Sequence, residues 1–405
     1  MRQTHIGAVT AGVLAAGPLQ AHGERFAAHL LAIGYTPATV RAKLTFLAQM
    51  SRWLERRGLR FNAIDEDRVR AFLIDRRHLR RSRAAAEATI HQLLRYARVT
   101  HSVRHVKAKR PRDAAARTEA AYREYLLQER ALARVTIDSY VGLVRPFLSE
   151  RSGSALCARD VVRFVMRRSS GMGPGRAKLL VTALRSLLRF LQCTGRTQLD
   201  LASCVPTVAD WRHGVLPKFI PATDVRRIIR TCDRGTARGR RDHAVLLVLA
   251  RLGLRAGEVV RMTLDDIDWD AGELVVRGKG SRLDRVPIPS DVGDALVTYL
   301  RDRHVGVDTR RFFLTARAPR QGFSSPAAVS TIVRRAIDRC GLTPPSKGAH
   351  LLRHSLATDL LRRGASLAEI GELLRHRSPD TTMIYAKVDF AALRELAQPW
   401  PGGDA

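Results

Sequence analysis

The stretch HLLRHSLATDLLRRGASLAEIGELLRHRSPDTTMIYA, residues 350–386, is the part of the sequence that decides the fold. Its apolar residues recur every three or four positions, which is the spacing of amphipathic helices. Gly364 and Pro379 interrupt this pattern, and Ser366 with Glu369 has the spacing of a capping box at a helix start. The stretch therefore predicts three short helices in series.

Four side chains in this stretch are of types that carry chemistry. His350 and Arg353 are three residues apart and so share one helical face. His376 follows the predicted end of the second helix, and Tyr385 lies nine residues later. Each feature alone is weak, because His-x-x-Arg arises by chance in an arginine-rich chain and a tyrosine in a short helix usually packs against neighbours.

Two earlier segments add to the pattern. In LGLRAGEVVRM, residues 252–262, Arg255 and Glu258 are three apart at a predicted helix start. In VRGKGSRLDRVPIP, residues 276–289, Lys279 lies at the predicted tip of a β-hairpin. Singly, these are usually a surface ion pair and a solvated turn. The order and spacing of all four segments together are informative.

Together the four segments resemble the tyrosine recombinase (phage integrase) family. The resemblance covers residues 223–396 with every motif in order, and it extends more weakly to residues 122–191, which look like the helical core-binding domain of that family. It implies a mainly α fold with a small β-sheet in the catalytic domain. It also implies that a SAM-like core-binding domain and a mixed α/β catalytic domain close around DNA as a C-shaped clamp.

The resemblance also implies a catalytic set. The matching residues are Arg255, Lys279, His350, Arg353, His376 and Tyr385, with Glu258 in support. Tyr385 would attack phosphorus and form a covalent 3′-phosphotyrosyl link, while two guanidiniums bind the non-bridging oxygens. His350 would assist loss of the tyrosine proton, Lys279 would protonate the departing 5′ oxygen, and His376 would donate a hydrogen bond to the phosphate. Glu258 would orient a catalytic neighbour. We expect no cofactor and no metal ion, since fixed cations stabilise the charge.

The net charge favours the same class of partner. Lys and Arg total 70 of the 405 residues against 38 Asp and Glu, which gives a net charge of +32, almost all of it from arginine. A GC-rich genome explains a preference for Arg over Lys but not the excess itself. A polyanion such as nucleic acid does explain it. With 45% hydrophobic residues, the chain is not a basic disordered tail.

Cysteine usage and hydropathy indicate the compartment. The five cysteines are an odd number, lie far apart and form no CxxC pair, so a zinc ribbon or a disulfide framework is not expected. No run reaches the roughly 18 apolar residues of a membrane helix. We therefore predict a cytoplasmic protein with no membrane partner.

Composition and periodicity divide the chain into segments. We predict an N-terminal segment at 1–24, an N-terminal helical domain at 25–104, a basic linker at 105–117, a core-binding domain at 118–200, an interdomain linker at 201–220, a catalytic domain at 221–398 and a tail at 399–405. Apolar patterns in the first helical domain recur in the second at offsets of about 97 and 94 residues, as in duplicated units. Chance similarity between amphipathic helices is the alternative.

The sequence leaves more than one role open for the N-terminal helical domain and for a short segment near the C-terminus. The N-terminal helical domain departs from the small β-rich arm-binding domain of many integrases, and it could bind additional DNA, a sister protomer or a partner recombinase. DNA is favoured by a cluster of arginines at Arg76, Arg77, Arg80, Arg81 and Arg83. A short apolar helix predicted at 390–396 could pack on its own domain or on a neighbouring protomer.

A basic face is predicted on the core-binding domain. Its candidate DNA-binding residues are Arg163, Arg167, Arg168, Arg176, Lys178, Arg185 and Arg189. Such residues bind phosphates and give affinity rather than sequence readout, although any one of them could simply be solvated. The expected partners are double-stranded DNA at specific recombination sites, three further copies in a homotetramer, and an accessory or sister recombinase.

The sequence therefore predicts a site-specific recombinase that acts as a tetramer through a Holliday junction. A type IB topoisomerase-like nicking and closing enzyme would share the chemistry without strand exchange. A non-catalytic DNA-binding or architectural protein with a retired site is a third possibility. The core-binding resemblance and the LLRHRS context favour the recombinase, and the six intact residues argue against a retired site.

Overall fold

The computed structural model describes residues 17–75, 83–99, 113–150, 156–208, 216–278, 283–303 and 309–388. These residues are mostly helical with one small antiparallel sheet, which confirms the expected mainly α fold. The chain forms two compact units: residues 106–215, and residues 1–105 together with 216–405. Within the described ranges, no helix is long and apolar enough to cross a membrane.

The N-terminal residues form a helical bundle with its own hydrophobic core. Its helices are α1 (Gln20–Ala32), α2 (Pro37–Glu55), α3 (Glu66–Asp75) and α4 (Arg83–Val99). Helix α2 begins where the Thr36 hydroxyl accepts a hydrogen bond from the Thr39 amide, with Pro37 in the first turn. Phe26, Leu44 and Phe72 are fully buried between the helices.

A second bundle forms the unit at 106–215. Its helices are α5 (Ala114–Gln128), α6 (Arg134–Ser149), α7 (Ala158–Ser169) and α8 (Pro174–Cys193). Tyr122 is fully buried in its core and donates a hydrogen bond from its hydroxyl to the carbonyl oxygen of Ala183 at 3.3 Å. The Asp113 carboxylate caps a helix that starts at Ala114, within the predicted linker at 105–117.

Equivalent positions of the two bundles are buried alike. The pairs at the predicted 97-residue offset are Val40 and Ile137, Leu44 and Val141, Leu47 and Val144, and Met50 and Phe147. All eight side chains lie in the cores of their bundles. Duplication stays a prediction, and the matching burial is what it would produce.

The C-terminal region is mixed. Its first elements are α9 (Ala222–Arg230), α10 (Ala237–Arg251), α11 (Ala256–Arg261), β1 (Ile267–Asp268), β2 (Glu273–Arg277), β3 (Leu283–Pro287), α12 (Ser290–Arg301) and α13 (Pro326–Arg339). The strands pair antiparallel in the order β1-β2-β3, with Arg277 opposite Leu283. Helix α10 packs along α12 over a large apolar core. The strands form the predicted hairpin.

The remaining elements are the three short helices predicted in series. They are α14 (Ala349–Arg362), α15 (Leu367–Leu373) and α16 (Pro379–Met383). Gly364 follows α14 with φ +92°, a left-handed conformation that favours glycine. Ser366 and Glu369 form the expected capping box, in which the Ser366 hydroxyl accepts the Glu369 amide at 3.2 Å. The sequence prediction of this series is confirmed.

The N-terminal bundle contacts the C-terminal region within the larger unit. The Arg320 amide donates to the carbonyl oxygen of Ile33 at 2.7 Å. Gly34, with φ +90°, lies against the Arg320 side chain so closely that an added Cβ would come within 2.8 Å of it. The bundle therefore packs on the region that holds the candidate site, a contact that no local sequence pattern predicts.

Several predictions concern residues outside the described ranges. These are the arginines at Arg76, Arg77, Arg80 and Arg81, Lys279, the linker residues 105–112 and 209–215, and the helix at 390–396.

Candidate active site

Arg255 lies on a tight turn between α10 and α11. Gly253 has φ +58°, and an added Cβ there would lie 2.6 Å from a methyl group of Leu374, so the turn requires glycine. The buried carboxylate of Glu258 accepts the Arg255 amide at 2.8 Å and the Arg255 Nη1 at 2.8 Å. Glu258 thus caps α11 and fixes the guanidinium of Arg255 at the same time.

Arg353 is held in the interior by main-chain oxygens. Its side chain is almost fully buried, and it donates from Nη1 to the carbonyl oxygen of Gly253 and from Nη2 to that of Leu374. Burial and the nearby charge of Arg255 lower the pKa of Arg353 to about 10, so it remains a cation at neutral pH. Arg353 therefore supplies positive charge and joins two turns of the chain.

Tyr385 follows α16 and lies among these groups. Its side chain is 1% exposed, and its hydroxyl shares a 2.8 Å hydrogen bond with Nδ1 of His354. Burial raises the pKa of Tyr385 to about 12, although the charges of Arg353 and Arg255 act to lower it. The hydroxyl is therefore protonated at neutral pH, and its nearest titratable partner is an imidazole.

His376 packs flat beside the tyrosine. The two rings are 6° from parallel with centroids 6.4 Å apart. Nδ1 of His376 shares a 2.6 Å hydrogen bond with the hydroxyl of the buried Thr382, which fixes the ring. Burial and the charges of Arg353 and Arg255 lower the pKa of His376 to about 4, so the ring is neutral at pH 7.

The sequence prediction missed His354, the last residue of HLLRH. Its ring lies one helical turn from that of His350, with centroids 6.2 Å apart. Burial, followed by His350 and Arg353, lowers the pKa of His354 to about 4. The i, i+4 spacing from His350 was a signal that both rings share one face. That His354 is the residue bonded to Tyr385 depends on where α16 lies.

His350 lies at the exposed end of the same helical face. Partial desolvation and the charges of Arg353 and Arg255 lower the pKa of His350. Lys279 lies outside the described residues. The structure thus brings Arg255, Glu258, Arg353, His376 and Tyr385 together, with His350 beside them.

The candidate DNA-binding residues differ in environment. Arg163, Arg168, Arg176 and Arg189 are exposed on α7 and α8. Arg167 is ion-paired with Glu150, and Lys178 is half-buried. Arg185 donates to the carbonyl oxygen of Val205 at 2.7 Å, so it fastens the end of its own unit. Among the residues with described positions, no three His, Cys, Asp or Glu side chains are grouped as metal ligands.

Comparison with known proteins identifies the class. The phage integrase family matches residues 218–392. The protein y4rA of Sinorhizobium fredii (strain NBRC 101917 / NGR234), provisionally named an integrase/recombinase, is 41% identical over 95% of this chain and 95% of its own length. Tyrosine recombinase XerD of Mycobacterium tuberculosis (strain ATCC 25618 / H37Rv) is 33% identical over 69% of this chain and 95% of XerD.

A solved structure shares the fold. XerH site-specific recombinase bound to palindromic difH substrate, in a post-cleavage complex, matches with a TM-score of 0.57 and 19% identity over 76% of this chain and 94% of that one. The chain belongs to the phage integrase family, the tyrosine recombinases.

Proposed function

We propose that this recombinase cuts and rejoins double-stranded DNA at specific sites through a covalent bond between Tyr385 and a 3′-phosphate. The observation that carries the proposal is the convergence of groups on one hydroxyl. His354 is bonded to it at 2.8 Å, His376 packs beside its ring, and the charges of Arg353 and Arg255 act on it. A protonated nucleophile beside a neutral imidazole and two cations suits attack on a phosphodiester.

In the proposed step, the Tyr385 oxygen bonds to phosphorus and the bond from phosphorus to the 5′ oxygen breaks. The tyrosine proton passes to the imidazole that its hydroxyl touches, His354, with His350 one turn away. The departing 5′ oxygen takes a proton from Lys279. Charge that grows on the non-bridging oxygens is stabilised by Arg255 and Arg353. One phosphoester replaces another, so attack by a 5′ hydroxyl rejoins the strand without an external energy source.

The burial of Tyr385 requires a movement before this step. A hydroxyl on a side chain that is 1% exposed is reached by a DNA phosphate only if residues 379–388 shift. Helix α16 has five residues and α15 seven, so few hydrogen bonds oppose that shift. Movement of the short helices therefore belongs to the proposed catalytic cycle.

A tetramer follows from the number of strands. Exchange between two duplexes breaks four strands, and each chain carries one Tyr385. We therefore propose four protomers, acting in pairs through a Holliday junction, with double-stranded DNA as the partner and an accessory or sister recombinase as a further one.

The test uses a library of nicked duplexes with a randomised centre, in which a short strand is lost after cleavage and the covalent adduct is trapped. Adducts that survive denaturing washes are sequenced to define the target site. We expect adducts with the wild-type chain and none with Tyr385→Phe, which keeps the ring and removes the nucleophile. Absence of any wild-type adduct contradicts the proposed function.

The selected site then separates strand exchange from simple nicking and closing. Two duplexes that carry the site, one of them labelled, should yield recombinant products and four-way junctions. Relaxation of a supercoiled plasmid without exchange would instead indicate a topoisomerase-like enzyme.

A further inference from the structure

Arg375 occupies an unfavourable position beside the active site. It lies on the turn after α15, directly before His376, with φ +55°, in the left-handed region that a side chain disfavours. Its side chain is only 6% exposed, so the turn also buries a charge. Glycine would adopt this backbone without strain. An arginine here therefore costs backbone strain and charge desolvation that glycine would avoid, and the contacts of its guanidinium offset that cost.

The guanidinium of Arg375 joins two turns of the chain. It donates to the carbonyl oxygen of Leu252 at 3.4 Å and to that of Leu373 at 3.0 Å. Arg353 joins the same two turns one residue further along each, through the carbonyl oxygens of Gly253 and Leu374. Two buried cations thus bridge consecutive carbonyls of the turn that leads to Arg255 and of the turn that leads to His376.

Arg375 also contacts the support of Arg255. Its Nη2 lies 3.5 Å from Oε2 of Glu258, the oxygen that accepts the Arg255 amide. Its carbonyl oxygen accepts Nη2 of Arg255 at 3.4 Å. Glu258 alone would neutralise Arg255, whereas Glu258 shared by two guanidiniums leaves the group with one net positive charge. That charge is what a phosphate would meet.

We propose that Arg375 is a positioning residue of the recombinase site, which cross-braces the turns that carry Arg255 and His376 and compensates the charge of Glu258. The inference rests on the proposed function and adds a third guanidinium to its two phosphate-binding arginines. Arg375 acts through Arg255 and His376 rather than on the phosphate, because its Nη1 and Nη2 donors face carbonyls and a carboxylate and the side chain is buried.

The first test compares Arg375→Gly and Arg375→Lys in single-turnover adduct formation on the duplex selected with the wild-type chain. Glycine keeps the left-handed turn and removes the brace. We expect Arg375→Gly to lower the maximum rate by about tenfold to a hundredfold, because misplaced catalytic groups lose rate steeply. The duplex concentration for half-maximal rate should change by less than about threefold, since the buried group does not bind DNA. Lysine restores part of the rate.

The second test asks whether Arg375 acts through Glu258. In Arg375→Gly the contact between the guanidinium and Glu258 is already lost, so Glu258→Gln should lower the rate by a smaller factor there than in the wild-type chain. A merely structural role would make the two losses accumulate. Arg363→Gln, which removes an exposed arginine at the end of α14, is the matched charge control and should keep the wild-type rate.

The outcomes are distinct. A wild-type maximum rate in Arg375→Gly, or an equal factor lost on Glu258→Gln with and without Arg375, overturns the positioning role and leaves the proposed function intact. If the wild-type chain forms no adduct, the proposed function fails and thermal unfolding of the same four chains tests the brace. Glu258→Gln should then lower the melting temperature more with Arg375 present than with glycine there, and equal losses overturn the contact.

Discussion

Of the three imidazoles in the site, His354 contacts the hydroxyl of Tyr385, His376 lies beside its ring and His350 lies one helical turn from His354. The pKa values of His354 and His376 are lowered to about 4, and that of His350 is lowered as well. The fixed positive charge near Tyr385 is therefore carried by arginine, which stays protonated at any working pH. In the proposed step, proton transfer therefore falls to imidazoles and charge stabilisation to guanidiniums.

His354 is the residue for which the structure makes the sharpest prediction. We expect His354→Ala to slow adduct formation by about a hundredfold, because the hydroxyl loses the group that touches it. His354→Asn should lose less than His354→Ala, since an asparagine amide can reach the position of Nδ1. Single-turnover rates on the selected duplex measure both variants, and His91→Ala on α4 is the exposed control. Equal rates for the wild type and His354→Ala would refute this role.

The same imidazoles make stability depend on pH. Above pH 6.5 they are neutral in the folded and the unfolded chain alike. As the pH falls from 6.5 towards 4, the unfolded chain binds protons that the folded chain excludes, so the free energy of unfolding falls. Each imidazole contributes at most about 1.4 kcal/mol per pH unit. Urea unfolding at pH 7 and pH 5 should show a smaller decrease in the double variant His354→Asn/His376→Asn than in the wild type.

At the scale of elements, the site depends on how short helices begin. Helix α15 has seven residues and ends just before the turn that carries His376. So short a helix has little intrinsic stability. The capping box at its start therefore makes a large contribution to keeping the helix, and the turn that follows it, in place.

Ser366 tests this dependence. Ser366→Ala removes the hydroxyl that accepts the Glu369 amide and should lower the free energy of unfolding by about 1 kcal/mol. Ser325 precedes α13 without a side-chain capping bond, so Ser325→Ala is a matched control with a smaller expected loss. Urea unfolding of the two variants measures the difference. Equal losses would mean that the Ser366 bond adds nothing.

Local patterns predicted these elements, because glycine stops, capping boxes and apolar spacing act over a few residues. The same patterns could predict Arg255 as a helix cap and His350 with Arg353 on one face. They could not predict the role of Arg375, since a left-handed arginine is disfavoured locally and is maintained by contacts with Leu252 and Glu258, more than 100 residues away in sequence. His354 was missed because its partner Tyr385 lies 31 residues further along the chain, beyond the reach of a local pattern.

At the scale of the whole molecule, the net charge of +32 comes both from arginines exposed to solvent and from arginines bonded within the chain. The sequence alone does not separate these two classes. Of the predicted DNA-binding residues, four are exposed on α7 and α8, whereas Arg185 is bonded to a main-chain carbonyl. Composition cannot show which arginines face water and which fasten the chain. Nor can it show that the N-terminal bundle meets Arg320.

The salt dependence of DNA binding distinguishes these classes. A variant with glutamine at Arg163, Arg168, Arg176 and Arg189 should reduce the slope of log K against log salt by about 0.9 for each phosphate that is no longer neutralised. Arg185→Gln should leave the slope unchanged and lower the melting temperature of the chain instead. Fluorescence anisotropy with a duplex of unrelated sequence measures the slope. An unchanged slope in the fourfold variant would mean that DNA binds to other residues.

The burial of Tyr385 has a consequence for the cell that hosts this protein. A chain so basic adheres to almost any stretch of a chromosome, and most of those encounters involve the wrong sequence. If the Tyr385 hydroxyl were exposed to solvent, it could attack a DNA strand at each of these encounters. With the side chain 1% exposed, the proposed cleavage needs a movement that DNA binding alone does not need. Under the proposed mechanism, an increase in general DNA affinity would therefore not by itself increase cleavage at wrong sequences, because the Tyr385 hydroxyl stays covered until the short helices move.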